Sequence, residues 1–239
     1  MSGPFTAAYA IRADQIFLHP NPEYQWRDIV SGTNVRSQSG PTRRMFAVAP
    51  NTFRGFHRIN QQCPGAKEEF ISYFRDDQSR LIAMLNEVNS QADLHKLSET
   101  FCKEIRSSLK NCKPSQLESY NKLRKPVDLY LQHLTCMAKE LTHLRPRLVP
   151  WLHLPLDSQI LAHPHIFTSS ELSIHRLTRK STYQDIADPR TYTSLQNIIS
   201  AKASQLSITL GRPFWPIYFD LTWNNRYERW GGNLFETSP

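Results

Sequence analysis

Glycine and cysteine are both scarce in this 239-residue chain, and long apolar runs are missing. Eight glycines stand against sixteen prolines, a balance that favours fixed corners over flexible glycine-rich linkers. The four cysteines, Cys63, Cys102, Cys112 and Cys136, are scattered and form no CxxC pair. That excludes a zinc ribbon or a disulfide framework from the simplest expectations and leaves reduced, partly buried thiols. No apolar stretch approaches the length needed to cross a bilayer. The opening residues, MSGPFTAAYAIRADQ, lack the basic start and continuous apolar run of a signal peptide. A cytoplasmic protein with no membrane partner is expected.

What is present is a surplus of positive charge. The formal net charge is +8, on an otherwise ordinary background of 39% apolar and 21% charged residues, enough for one substantial core or two small ones. A polyanion such as DNA gains affinity from each phosphate that such a protein neutralises.

Hydrophobic spacing predicts a mainly α fold. Residues 1–65 are rich in proline, arginine and aromatics without a sustained period, and are expected to wrap on a helical body. Within them, Arg43, Arg44, Arg54 and Arg58 with Phe53, Phe56 and His57 read more readily as a solvated surface over an aromatic cluster than as backbone contacts, and carry no assigned role. Helical periods run through Phe70, Phe74, Leu81, Leu85 and Val88, and again through Leu94, Leu97, Phe101, Ile105 and Leu109. Ser115 and Glu118 form a candidate capping box for a short helix.

Leu123, Val127, Tyr130, Leu134, Met137 and Leu141 then mark one amphipathic helix. Pro126 fits its first position, so Lys125 is placed at the helix mouth. The segment from Arg145 to Trp151 is a bent connector because of its two prolines. Asp188-Pro189 starts a last helix with Tyr192, Leu195, Ile199, Ala203 and Leu206 as its buried stripe, ended by Gly211. The aromatic stretch from Phe214 to Trp230 has strand-like composition over Ile217 to Trp223, and in a helical fold reads as extended cover.

Two polar groups in this frame point to chemistry. An amine at the positive end of a helix is disfavoured as an ammonium, and a neutral amine is a nucleophile. Asp157, in Leu154-Pro155-Leu156-Asp157-Ser158, is a candidate N-cap, where backbone N–H groups would keep it ionised and able to receive a proton or face a developing cation. By contrast, His153, His163, His165 and His175 lack the i, i+4 pairing of a metal site, and no metal or cofactor is expected.

The stretches Lys125-Pro126-Val127-Asp128 and Leu154-Pro155-Leu156-Asp157-Ser158 resemble the helix-hairpin-helix DNA glycosylases, in which a hairpin lysine precedes a Pro-hydrophobic-Asp segment. Their separation, from 125 to 157 or 32 residues, is most like the archaeal 8-oxoguanine glycosylase branch. The likeness covers residues 115–161, about one fifth of the chain. One departure is clear. The usual hairpin glycines are replaced by Tyr120-Asn121-Lys122-Leu123-Arg124, in which Asn121 is the residue that most readily takes a left-handed turn.

The resemblance implies a single glycosylase-like domain over residues 1–239, with an altered hairpin and an aromatic-rich C-terminal segment, or two lobes of about 1–112 and 113–239 flanking a cleft. It implies a DNA glycosylase acting on double-stranded DNA that carries a modified base, either oxidised guanine or a bulky base such as one of phage DNA. Lys125 would attack the sugar and Asp157 assist, with Lys122 as the fallback nucleophile and strand nicking as a possible sequel. Trp215, Trp223 and Trp230 are the candidates to stack on an extruded base, and Lys122, Arg124, Arg226 and Arg229 the candidates for phosphate contact. Two rivals remain open: a HEPN-like ribonuclease using Arg147 and His153, and a basic DNA-binding protein without catalysis.

Overall fold

The fold was analysed in a computed structural model, which describes residues 3–20, 23–31, 33–36, 42–45, 65–110 and 112–222. It is mainly helical. The elements are α1 (Ala7–Phe17), α2 (Trp26–Ser31), an antiparallel strand pair β1 (Thr33–Arg36) and β2 (Thr42–Met45), α3 (Ala66–Asp76), α4 (Gln78–Asn86), α5 (Gln91–Ser108), α6 (Asn121–Met137), α7 (Arg145–Leu148), α8 (Ser158–Ala162), α9 (Ser169–Ile174) and α10 (Pro189–Leu210). Short 3-10 turns lie at Pro114–Leu117, Lys139–Leu141, Val149–Trp151, Tyr183–Asp185 and Pro216–Thr222. No helix among the described residues is long and apolar enough to cross a membrane.

Helix α6 is the axis of the molecule. Fifteen of its seventeen residues are buried, the two exceptions being Lys122 and Lys125, so it is enclosed on every side rather than amphipathic on a surface. It packs against α1, α2, α5, α7 and the turn at Tyr183–Asp185. Its apolar residues join a core that runs from Phe5 to Leu221. The densest part is aromatic: Phe74 stacks on Tyr130 with centroids 4.5 Å apart and planes at 6°, Phe101 meets Phe74 edge-on, and the Trp26 indole N–H donates to the Phe74 carbonyl at 2.7 Å.

Several sequence expectations need correction. The first 65 residues do contain regular structure: α1 is capped by Thr6, whose hydroxyl accepts from the Tyr9 N–H, and buries Ala10, Ala13, Ile16 and Phe17. Two of those four are alanines, which blurred the period. The helical stretch beginning at Ala66 breaks at Asp77 into α3 and α4. The Ser115–Glu118 box is replaced by a 3-10 turn in which the Lys113 N–H donates to Gln116 Oε1 at 2.7 Å. Ile217–Thr222 is part of a buried 3-10 turn rather than a strand or extended cover. Strand propensity there reflects aromatic and β-branched bulk, which any packed surface accepts.

The start of α6 also differs. The Tyr120 and Asn121 N–H groups donate to Ala187 O and Ile186 O at 3.0 and 3.2 Å, so the helix end is satisfied by another segment and the first turn forms before the proline. Pro126 is therefore an interior residue, removing the bond that would run to the Lys122 carbonyl. The connector at Arg145–Trp151 and the Asp188 and Gly211 caps of α10 are as expected.

Phe74→Ala removes the centre of the aromatic cluster and is expected to cost about 3–5 kcal/mol. Guanidinium denaturation followed by circular dichroism should show the midpoint fall accordingly; an unchanged midpoint would mean that this cluster does not hold α6 in place.

Candidate functional site

The segment carrying Asp157 runs without regular structure from Leu152 to Asp157 and is pinned at Leu154 and at Asp157. Gln196 of α10 brackets Leu154, accepting from its N–H at 3.2 Å and donating to its carbonyl at 2.7 Å. Leu154, Pro155 and Leu156 are buried. Asp157 then caps α8 as the sequence predicts, its Oδ1 accepting from the Gln159 and Ile160 N–H groups at 2.9 and 3.1 Å.

The second carboxylate oxygen faces the amine. Lys125 Nζ lies 3.4 Å from Asp157 Oδ2, with side chains 12% and 5% exposed. The same ammonium sits 5.2 Å from the centroid of the Tyr183 ring, within range of a cation–π contact. The two groups expected to converge do so, in direct contact rather than across an open gap. Because α6 begins at Asn121, Lys125 stands one turn inside the helix, and the placement at a helix mouth is corrected.

Asn121 is buried at the first position of α6, one turn before Lys125. Its amide Nδ2 donates to Leu156 O at 3.0 Å and to Tyr183 O at 3.2 Å, which fixes the orientation of the amide. It makes no left-handed turn: among the described non-glycine residues only Arg176 has positive φ. Lys122 Nζ donates to Gln116 O at 2.9 Å, so the fallback nucleophile is held toward the preceding turn.

Arg124 is not a phosphate contact. Its side chain is fully buried, with Nε on Asp128 Oδ1 at 2.8 Å, Nη1 on Glu99 Oε1 at 2.7 Å and Nη2 on His153 Nδ1 at 2.8 Å. Its guanidinium also lies 4.7 Å from the Tyr192 ring centroid. Tyr192 Oη donates to Asp128 Oδ2 at 2.5 Å, and Tyr120 Oη donates to Glu99. Accepting from Arg124 puts the His153 ring proton on Nε2. Burial pushes the Asp128 carboxyl up to about 6, against the pull of Arg124 and Tyr192. Burial, with Arg124 and His95 nearby, holds His153 well below the usual histidine range.

The remaining candidates divide. Trp215 is half-buried and packs on the core. Trp223, Trp230, Arg226 and Arg229 lie outside the described residues. Arg147 donates to Asn86 O at 2.8 Å while His153 faces Arg124, so the ribonuclease pair is not assembled. His175 Nε2 pairs with Ser194 Oγ at 2.9 Å, and no metal-binding cluster occurs among the described residues. Tyr183 and the amide role of Asn121 escaped sequence reasoning: Tyr183 falls in a polar loop with no period. Comparison with protein-family models, curated proteins and solved structures finds no match.

The two shifted groups have opposite linkage. His153, lowered in the fold, contributes stability that is present above the unfolded value near 6.5 and is lost as pH falls through it. Asp128, raised from 3.8 to about 6, binds a proton more readily folded than unfolded, so its contribution improves as pH falls from about 6 toward 3.8. Relative to the parent, His153→Gln should therefore lose less stability between pH 6.5 and 4.5 and Asp128→Asn should lose more, each by up to about 1.4 kcal/mol per pH unit. Urea melts across that range measure the slopes, and identical slopes for all three proteins would contradict this assignment.

Proposed function

We propose that this chain is a DNA glycosylase that excises a modified base through a lysine nucleophile. The observation that carries this is the Lys125–Asp157 pair, 3.4 Å apart in space and 32 residues apart in sequence. The carboxylate is oriented by two backbone N–H groups on its other oxygen. An amine attacks only after losing a proton, and Asp157 Oδ2 is the acceptor in reach. The freed amine forms a bond to the sugar C1′ as the bond from C1′ to the base breaks, the base leaving with the electron pair and then taking a proton. The leaving base takes the proton held on Asp157, which restores the carboxylate. The C1′–O4′ bond then breaks as the nitrogen lone pair forms C1′=N, a proton passing from that nitrogen through Asp157 to O4′, and the carboxylate faces the resulting iminium.

Tyr183 supports the same reading. A ring beside the reacting amine offers a flat wall against which an extruded nucleoside can stack, a role sought among three tryptophans in the sequence. The excess positive charge suits a phosphodiester partner. Oxidised guanine follows from the resemblance, and a bulky modified base is the second candidate. A basic DNA-binding protein without catalysis would bind in a salt-dependent way and release no base.

Borohydride trapping on duplexes carrying a panel of modified bases tests the mechanism. One duplex should give a covalent adduct that Lys125→Ala abolishes, while Asp157→Asn slows single-turnover excision by at least about 100-fold. Full excision by both variants, with their folding verified, would sink it.

On the same duplex, Tyr183→Ala is expected to weaken excision about 5- to 100-fold, the worth of one stacked base, and Tyr183→Phe to stay near the parent. Equal losses in the two variants would remove the ring from the site.

A further inference from the structure

We propose that Asn121 is the positioning residue of the Lys125–Asp157 pair, an inference that rests on the reading of Lys125 as the nucleophile. A side-chain amide carries two N–H donors, and both are used here on carbonyls of two segments far apart in the chain: Leu156 O at 3.0 Å and Tyr183 O at 3.2 Å. Leu156 is the residue immediately before Asp157. Tyr183 is the residue whose own ring faces the amine. Asn121 lies four residues before Lys125 on α6, so the two share a helix face.

One buried side chain thus ties together the helix that presents the amine, the turn that presents the carboxylate and the turn that presents the ring. The rest of the amide points to a role beyond fold maintenance. Asn121 Oδ1 is buried without a hydrogen-bond partner, a cost that an apolar residue would not incur. What asparagine supplies in return is the double donor. Moving either carbonyl would shift the carboxylate or the ring relative to Nζ, and a displacement of an ångström is enough to disrupt a proton transfer over hydrogen-bond distance.

Reductive methylation of the full chain with formaldehyde and borohydride, quantified at each lysine by peptide mass spectrometry, tests this without DNA. Asp157→Asn should free the Lys125 amine and raise its methylation rate several-fold. Asn121→Ala should reproduce that rise, the double variant should be no faster than Asp157→Asn, and Lys122, held on Gln116 O, should be unchanged. If Asn121→Ala does not fold, Asn121→Ser, with one donor in place of two, should give a smaller rise of the same kind.

Three results would overturn the proposal: a parental Lys125 rate in the Asn121 variant, rates that multiply in the double variant, or a parallel rise at Lys122, which marks general loosening. Each is read independently of base excision, so a chain that excises nothing from any duplex would refute the glycosylase reading and leave the clamp to be judged on its own. Where excision is found, Asn121→Ala should lower the single-turnover rate with unchanged duplex affinity.

Discussion

A guanidinium with no surface in water must be surrounded by acceptors, and that requirement at Arg124 organises the centre of this protein. Asp128 accepts from Nε, Glu99 of α5 from Nη1 and His153 from Nη2, and the Tyr192 ring of α10 covers a face. Three segments are thereby drawn onto α6: α5, the connector into Asp157, and α10. Removing one partner of such a buried pair costs about 3–5 kcal/mol because the other charge is stranded, whereas replacing the whole set by apolar residues is often neutral. The network is thus a poor source of net stability, and what it supplies is a set of directional bonds from one α6 side chain to Asp128, Glu99 and His153.

The consequence is a helix whose two residues that are not fully buried are both lysines. Lys122 and Lys125 are three apart and leave α6 on the same side, yet their amines part, one to the Gln116 carbonyl and the other to Asp157. The turn at Tyr183–Asp185 contributes the aromatic neighbour of the second amine. It packs on the start of α6, its following residues satisfy the Tyr120 and Asn121 N–H groups, and its Tyr183 ring lies 5.2 Å from the Lys125 amine.

Much of this was legible from local chemistry. Asp157 as a cap, Asp188-Pro189 and Gly211 as helix ends and the apolar period of α6 as far as Met137 each depend on a few neighbouring residues and are found in the fold, whereas Leu141 falls in the following 3-10 turn and the helix is enclosed rather than amphipathic. What failed depended on distant partners. Lys125-Pro126 looks like a helix start until Ile186 and Ala187, some sixty residues on, supply acceptors that let the helix begin earlier. Arg124, a candidate for phosphate contact, is instead buried by partners on three other segments. A helical signal was available even so: Asn121, Arg124, Asp128, Gln132 and Thr135 recur at three and four residues, a polar stripe that is buried along its whole length.

That polar stripe bears on how the amine could react. Lys125 is one turn into α6, and the Tyr120 and Asn121 N–H groups at the helix end are taken by Ala187 O and Ile186 O, so they do not set its chemistry. Its neighbours do: a carboxylate oxygen at 3.4 Å and an aromatic face at 5.2 Å, both partners of an ammonium. The resting arrangement therefore sets the Lys125 amine beside a carboxylate oxygen placed to take its proton, as the proposed mechanism requires. The proton has a short path and the carboxylate little freedom to turn, since its other oxygen is tied to two backbone N–H groups. A substrate that pushes between Lys125 and Tyr183 would displace the aromatic partner while leaving the carboxylate in place. On the proposed mechanism the amine becomes a nucleophile only once its proton has passed to Asp157 Oδ2, the oxygen left over from the cap.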